Sequence, residues 1–349
     1  MAAGGGNDRL QNRPRIRLCG FSTALGLALV LWPAGSGSAF DWFPTDQEMQ
    51  KFHRSWNPQT HGSMYIASAD LQAQGQWGLW AFAYGKLTSH QFGSSLAATG
   101  TGAPFHQDAI ALGTVIDYSL TDHVTLSVSA ALTSWDSDRP SGNQSSGREN
   151  ATGLDDIGLI MVTRHLVQDP DGWQPSVGTF SRISLPSSRW AGMPSIPGGF
   201  IPVTPRPSVR HGALAFTEGP TFRKNLEPFR LSGMVMYTYH APGSEGDKTV
   251  YPGDFLDARV GLEYVAQDKQ GFGLLVDGVV QAGLPYRLDG HAITTDHKDF
   301  VLIGTAVAVE YRFTPEWVGS IGALFPLAGQ STMDAIYPSF SIKYFWGRE

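Results

Sequence analysis

Asp289, His291, Asp296, His297 and Asp299 share one short stretch and are side-chain types that bind a metal or move protons. Their spacing fixes no common face, which is the composition of an ordinary solvated polar loop. No Gly-x-Ser-x-Gly elbow and no His-Glu-x-x-His is present. The single cysteine, Cys19, lies near the N-terminus. We therefore expect no catalytic residue, no metal and no cofactor. Two other groups stand out. Trp190, Met193, Ile196 and Phe200, with Ile201 and Val203, are set among Pro194, Pro197, Pro202, Pro205 and Pro207, a stiff apolar segment. A scattered set of acids and bases recurs at every second residue of otherwise apolar runs. What either group does depends on the elements that carry it.

The chain has 349 residues, 42% hydrophobic and 16% charged, with 41 glycines and 22 prolines. Charge is sparse against the roughly 25% of an average soluble chain. A net charge of −6 without a basic run argues against nucleic acid as a partner. Arg9, Arg13, Arg15 and Arg17 precede an apolar stretch from Leu18 to Leu31, and Gly35-Ser36-Gly37-Ser38-Ala39 follows. This pattern predicts a signal peptide over 1–39, cleaved after Ala39. It also predicts a more acidic mature chain without cysteine.

Past residue 60 the hydrophobic period is two, in runs of about 10 to 15 residues. We read strands at Trp77–Thr88, Gln107–Ser119, His123–Trp135, Asp156–Val167, Trp173–Leu185, Val209–Phe222, Phe229–His240, Tyr251–Ala266, Phe272–Leu284, Asp299–Phe313, Glu316–Phe325 and Ala335–Trp346. Short turns, as at Gln168–Gly172 and Gln267–Gly271, alternate with long loops, as at Asp136–Asp155, Pro186–Ser208 and Pro326–Asp334. An even strand number with this asymmetry predicts a closed antiparallel transmembrane barrel of about twelve strands, spanning 76–349. Aromatics gather at both strand ends, as two membrane interfaces require; Tyr84 and Tyr337 are assigned to the long-loop girdle. Ahead of the barrel, 40–75 forms an N-terminal segment. In it Thr45-Asp46-Gln47-Glu48 matches a capping box and Met49, Phe52 and Trp56 recur at helical spacing. A short amphipathic helix at Asp46–Ser55 is expected, its Met49, Phe52 and Trp56 face packed against the periplasmic mouth or inside it. Met64–Gln74 either extends the first strand or runs through the lumen.

Alternation then gives the charges a place. Asp117, Asp156, Arg164, Arg182, Arg230, Asp257, Arg259, Glu263, Asp277, Glu310 and Arg312 face inward, as do His240 and Lys343. They could form a selectivity ring, or simply fill a narrow barrel with ion pairs. Trp190, Met193, Ile196 and Phe200 would fold over or into the mouth as an apolar vestibule, or pack as a lid.

Gly153-Leu154-Asp155-Asp156-Ile157-Gly158-Leu159 and a return strand ending Leu185-Pro186-Ser187-Ser188 resemble the outer-membrane family named for the MetA pathway of phenol degradation. Tyr118-Ser119-Leu120-Thr121-Asp122-His123 is similar to a turn of that family. Asp155, Ser119 and Ser187-Ser188 depart from its pattern. The resemblance implies a transporter of small, aromatic compounds.

The expected function is an outer-membrane channel or transporter for small apolar or aromatic molecules. The alternatives are a barrel hydrolase acting on lipid, with a Ser/His or acid pair at the outer rim, and a structural barrel with a packed lumen. Expected partners are outer-membrane lipid and lipopolysaccharide, the barrel-assembly machinery and a small-molecule solute. Phe340, Ile342, Tyr344 and Trp346 alternate in the last strand as an assembly signal does, before Gly347-Arg348-Glu349.

Overall fold

A computed structural model describes residues 43–69, 71–100, 107–138, 148–187, 213–245, 248–284, 287–288, 291–292 and 299–347. A helix, α1 (Asp46–His53), precedes strands β1 (Gln76–Gln91), β2 (Gln107–Thr121), β3 (Val124–Asp138), β4 (Arg148–Leu154), β5 (Ile157–Leu166), β6 (Ser176–Leu185), β7 (Ala215–Leu226) and β8 (Phe229–His240). Then come β9 (Gly243–Glu245), β10 (Lys248–Tyr251), β11 (Phe255–Gln267), β12 (Phe272–Gly283), β13 (Arg287–Leu288), β14 (His291–Ala292), β15 (Phe300–Arg312), β16 (Trp317–Gln330) and β17 (Met333–Gly347).

Each wall strand pairs antiparallel with its sequence neighbour, β1 pairs with β17, and β2 pairs with β3. The sheet is thus closed, with β4 and β5 occupying one position and twelve positions in all. Closure removes the open edges of the wall sheet, the condition for crossing lipid with strands. Among the described residues no helix is long and apolar enough to cross. At the usual tilt and spacing, twelve strands give a backbone diameter of about 24 Å. β9, β10, β13 and β14 form a separate four-stranded sheet on the long-loop side.

The alternation does what the sequence predicts. Ile110, Leu112, Ile116, Leu126, Val128 and Leu132 point outward, while Ser119, Thr125, Ser127, Ser129 and Thr133 are buried inside. At the short-turn end Trp77 meets Tyr118 and Trp346, Tyr344 meets Trp317 and Trp346, and Phe229 meets Tyr264. These form an aromatic girdle, beside which Trp173 is 89% exposed.

Four expectations need correction. Tyr84 and Tyr337 do not belong to the outer girdle; both are buried in an inward apolar cluster with Phe82 and Ala335, because they share those residues' strand parity. The expected loop Pro326–Asp334 is a tight hairpin at Ser331-Thr332, with Ser331 at φ 50°, since strand pairing continues to Gln330 and resumes at Met333. β7 runs on to Leu226, leaving only Glu227-Pro228 as its turn, and β6 starts at Ser176 instead of Trp173. Finally, β4 extends the wall into the expected loop Asp136–Asp155. Along β3, Ser129 and Leu132 oppose Gly158 and Leu154, so the β4–β5 strand carries one residue more. This bulge at Asp155-Asp156 turns Asp155 inward, where it accepts from the Thr133 hydroxyl at 2.8 Å.

Candidate functional site

The site is the lumen and the N-terminal strap inside it. α1 starts with the capping box expected: Thr45 Oγ1 accepts from the Glu48 amide at 3.3 Å and Glu48 accepts from the Thr45 amide at 2.8 Å. Accepting from the Thr45 amide and also from the Thr45 hydroxyl holds the Glu48 carboxyl below its ordinary range. Met49 and Phe52 bury against Val167 at the β5–β6 turn. A helix of eight residues is marginal alone, so this surface is what keeps it formed. Lys51 binds Asp169 on the same turn at 2.6 Å, which raises the lysine's pKa and lowers the aspartate's. Trp56 donates its indole N–H to Asp268 of the β11–β12 turn at 3.0 Å, and the Gln59 amide donates to the same carboxylate. The helix is therefore fixed at the short-turn mouth.

From Asn57 the chain enters the barrel without regular structure, so its backbone polar groups need other partners. The inward charges supply them. Arg230 donates to the carbonyls of Pro58 and Thr60, at 3.4 and 2.9 Å. Glu310 accepts from the amides of His61 and Gly62, and from Ser320 Oγ at 3.3 Å. Asp277 accepts from Ser63 Oγ, Arg259 donates to the Tyr65 carbonyl, and Ser339 meets the Tyr65 hydroxyl. Arg164 donates to the carbonyls of Ala69 and Leu71 and lies 5.7 Å over the Phe52 ring. Arg230 with Glu263 at 2.7 Å and Arg259 with Asp257 at 2.6 Å complete the arrangement as buried ion pairs.

The expected charges thus fall into separate places. Arg164, Arg230, Asp257, Arg259, Glu263, Asp277 and Glu310 surround the strap. Arg312 is at the short-turn rim, half-buried, where it binds Gln59 and the Pro315 carbonyl. Asp117 is half-buried in the wall opposite Gly78. Arg182 and Asp156 lie apart from the strap, by the β4–β5 bulge; among the described residues the Arg182 guanidinium has no hydrogen-bond partner. Trp190, Met193, Ile196 and Phe200 lie outside the described residues, as do the side chains of Asp289, His291, Asp296 and His297.

Sequence reasoning missed what the charges hold. The available signal was the strap's own poverty of charge: between Asn57 and Ala69 there is no Asp, Glu, Lys or Arg, while the facing strands carry many. Gly62 is the second sign. It has φ +103°, and a Cβ there would stand 3.0 Å from Arg230 Nη1, so a side chain would be strained and crowded.

Met64 and Tyr65 pack with Phe82, Tyr84, Val115, Leu275, Val279, Leu324 and Tyr337 into one apolar cluster inside the barrel. Beside it a cavity of about 130 Å³ remains between the strap and the wall. Ile66, Val115, Ile160, Val162 and Phe180 give it an apolar side; His61, Asp117, Ser127, Arg223 and Lys343 give it a polar end.

A closed wall, an apolar outside and an aromatic girdle define a β-barrel of the bacterial outer-membrane type. A solved structure shares the fold. The COG4313 outer membrane channel from Pseudomonas putida F1 superposes with a TM-score of 0.62 at 13% identity, covering 82% of this chain and all of that one. The β domain of the Bordetella autotransporter BrkA gives 0.45 at 11% identity over 79% of this chain and all of its own. The P. putida toluene transporter TodX gives 0.36 at 11% identity over 84% of this chain and all of its own. No protein-family model matches the sequence, and no curated protein matches it.

Proposed function

We propose that this chain is an outer-membrane channel for small apolar or aromatic molecules, obstructed at rest by its own N-terminal strap. The observation that carries this is the partly apolar cavity between strap and wall. A wall-only role would need no such space, and a wide porin would have no strap. The strap is bonded to the wall through side chains and is not itself a wall strand, so its departure would leave the barrel closed. That the barrel with a TM-score of 0.62 is an outer membrane channel supports the same reading.

The wider assignment goes with it. Residues 1–39 serve as the signal peptide, 40–75 as the strap, and the barrel from 76 onward is inserted by the barrel-assembly machinery among lipid and lipopolysaccharide. Gly153–Leu159 and Tyr118–His123 are what support placing it with the family of the MetA pathway of phenol degradation. Trp190, Met193, Ile196 and Phe200 form the vestibule, where an aromatic solute gains roughly 25 cal/mol per Å² of apolar surface removed from water.

Proteoliposome uptake tests this. Replacing Trp190 and Phe200 with serine should slow entry of a single-ring aromatic and leave a sugar of similar size unaffected. Equal effects on both, or none on either, would remove the vestibule from the mechanism. No entry of the aromatic through the unmodified protein would remove the channel function itself.

A further inference from the structure

Lys343 of β17 stands at the polar end of the cavity, 8% exposed. Its ammonium lies 3.4 Å from the centre of the Trp80 ring and contacts His61 Nε2. Both partners are uncharged acceptors. Buried cations are ordinarily paired with an anion, because the loss of hydration is large and a neutral partner offsets only part of it. Here no described carboxylate comes within the 4.0 Å of an ion pair with Lys343. Asp117 and Glu310 act on the ammonium only through space, from beyond that distance, and Glu310 is engaged by His61, Gly62 and Ser320. The Trp80 indole N–H is buried without a hydrogen-bond partner and adds a second donor near that end.

Resting on the channel reading, we propose that the cavity is a binding subsite for a small carboxylate with a compact apolar body, whose carboxylate pairs with Lys343. The body would lie against Ile66, Ile160, Val162 and Phe180, and the oxygens would face Lys343 and the Trp80 N–H. The size fits: a dry cavity of about 150 Å³ accepts benzene, and this one is about 130 Å³ with a polar end for the oxygens. Charge-assisted hydrogen bonds are roughly twice as strong as neutral ones, so the ionised form is favoured over a neutral isostere.

Equilibrium dialysis of the full-length barrel in detergent micelles, with labelled benzoate and the neutral isostere benzamide as probes, tests the proposal. Benzoate should bind about tenfold tighter than benzamide, the scale of one charge-assisted bond. Lys343→Met should abolish that preference while sparing benzamide, and Lys343→Arg should keep it. Ala67→Leu, which fills the cavity without touching a charge, should weaken both probes; it locates the site even if the lysine variant does not fold. Equal binding of the two probes to the unmodified protein, or a benzoate preference that survives Lys343→Met, would overturn the proposal. Aromatic uptake into proteoliposomes separates the two readings: uptake without benzoate preference sinks the subsite alone, and benzoate binding without uptake sinks the channel alone.

Discussion

Arg230 and Thr60 are 170 residues apart in sequence, yet the guanidinium of one donates to the carbonyl of the other at 2.9 Å. The same side chain holds Glu263 at 2.7 Å, with Arg230 1% and Glu263 2% exposed. Strap and wall thus share one buried charge. Arg230→Met should free the strap and leave Glu263 uncompensated, at about 3–5 kcal/mol. The variant should unfold at lower denaturant in lipid vesicles and conduct more in planar bilayers. Adding Glu263→Met should recover most of the stability without restoring the strap. A single variant with unchanged conductance would show that the strap stays in place without this bond.

Removing the strap altogether is the stronger intervention. A chain lacking residues 43–72 should still form a closed barrel, since every wall strand finds its partners without it. Its single-channel conductance should rise well above that of the full chain. No rise would mean that side chains of the wall alone, such as Phe82, Tyr84 and Tyr337, close the lumen.

Gly62→Ala is a milder test of the same contact. The positive φ costs alanine about 1–2 kcal/mol, and its Cβ would press on Arg230. Noisier, more frequently open single channels are expected. Quiet channels like those of the parent would argue that the strap tolerates a shift at this point.

At the mouth, apolar packing and the surface ion pair should separate cleanly. Phe52→Ala removes a buried ring and should release α1, with a loss of up to about 3 kcal/mol in docking. Lys51→Ala should do little, because its contact with Asp169 is solvent-exposed and screened by salt. The sign of its pH dependence follows from the shifts. The carboxyl is held below its ordinary 3.8 and the ammonium above its ordinary 10.5. The pairing is present between these limits, and fades as pH falls through the lowered aspartate value or rises through the raised lysine value. Helix docking, followed by a spin label in α1, should be flat from about pH 5 to 9. A transition near neutrality would point to a different group.

Topology can be checked on intact cells. If both termini lie in the periplasm, added protease should cut first between β3 and β4, within 139–147, or within Pro186–Ser208. First cleavage at Gln168–Gly172 would invert the barrel.

The wall was legible because a strand's side-chain period is a local, sequential property. Ile110, Leu112 and Ile116 against Ser127, Ser129 and Thr133 announce lipid and lumen without any knowledge of partners. The helix was legible for the same reason: Thr45 and Glu48 satisfy each other across three residues. Strand ends were harder to place where loop-type residues continue the pairing, as at Pro326–Gln330. The two tyrosines were misplaced because an aromatic near a strand end is equally suited to an interface and to a packed lumen, and only parity separates the two.

Sequence by itself therefore determined a barrel, its face assignments apart from those of Tyr84 and Tyr337, and a capped helix ahead of it, all consequences of contacts or alternation within a few residues. The tertiary structure decided what the inward charges are for. Arg230, Arg259 and Glu310 are committed to the carbonyls and amides of residues 58–65, across separations of 170 to 249 positions. Backbone groups look alike in every sequence. No pattern of residue types could show which of them these charges would meet, and only closing the barrel around the strap brought them within hydrogen-bond reach.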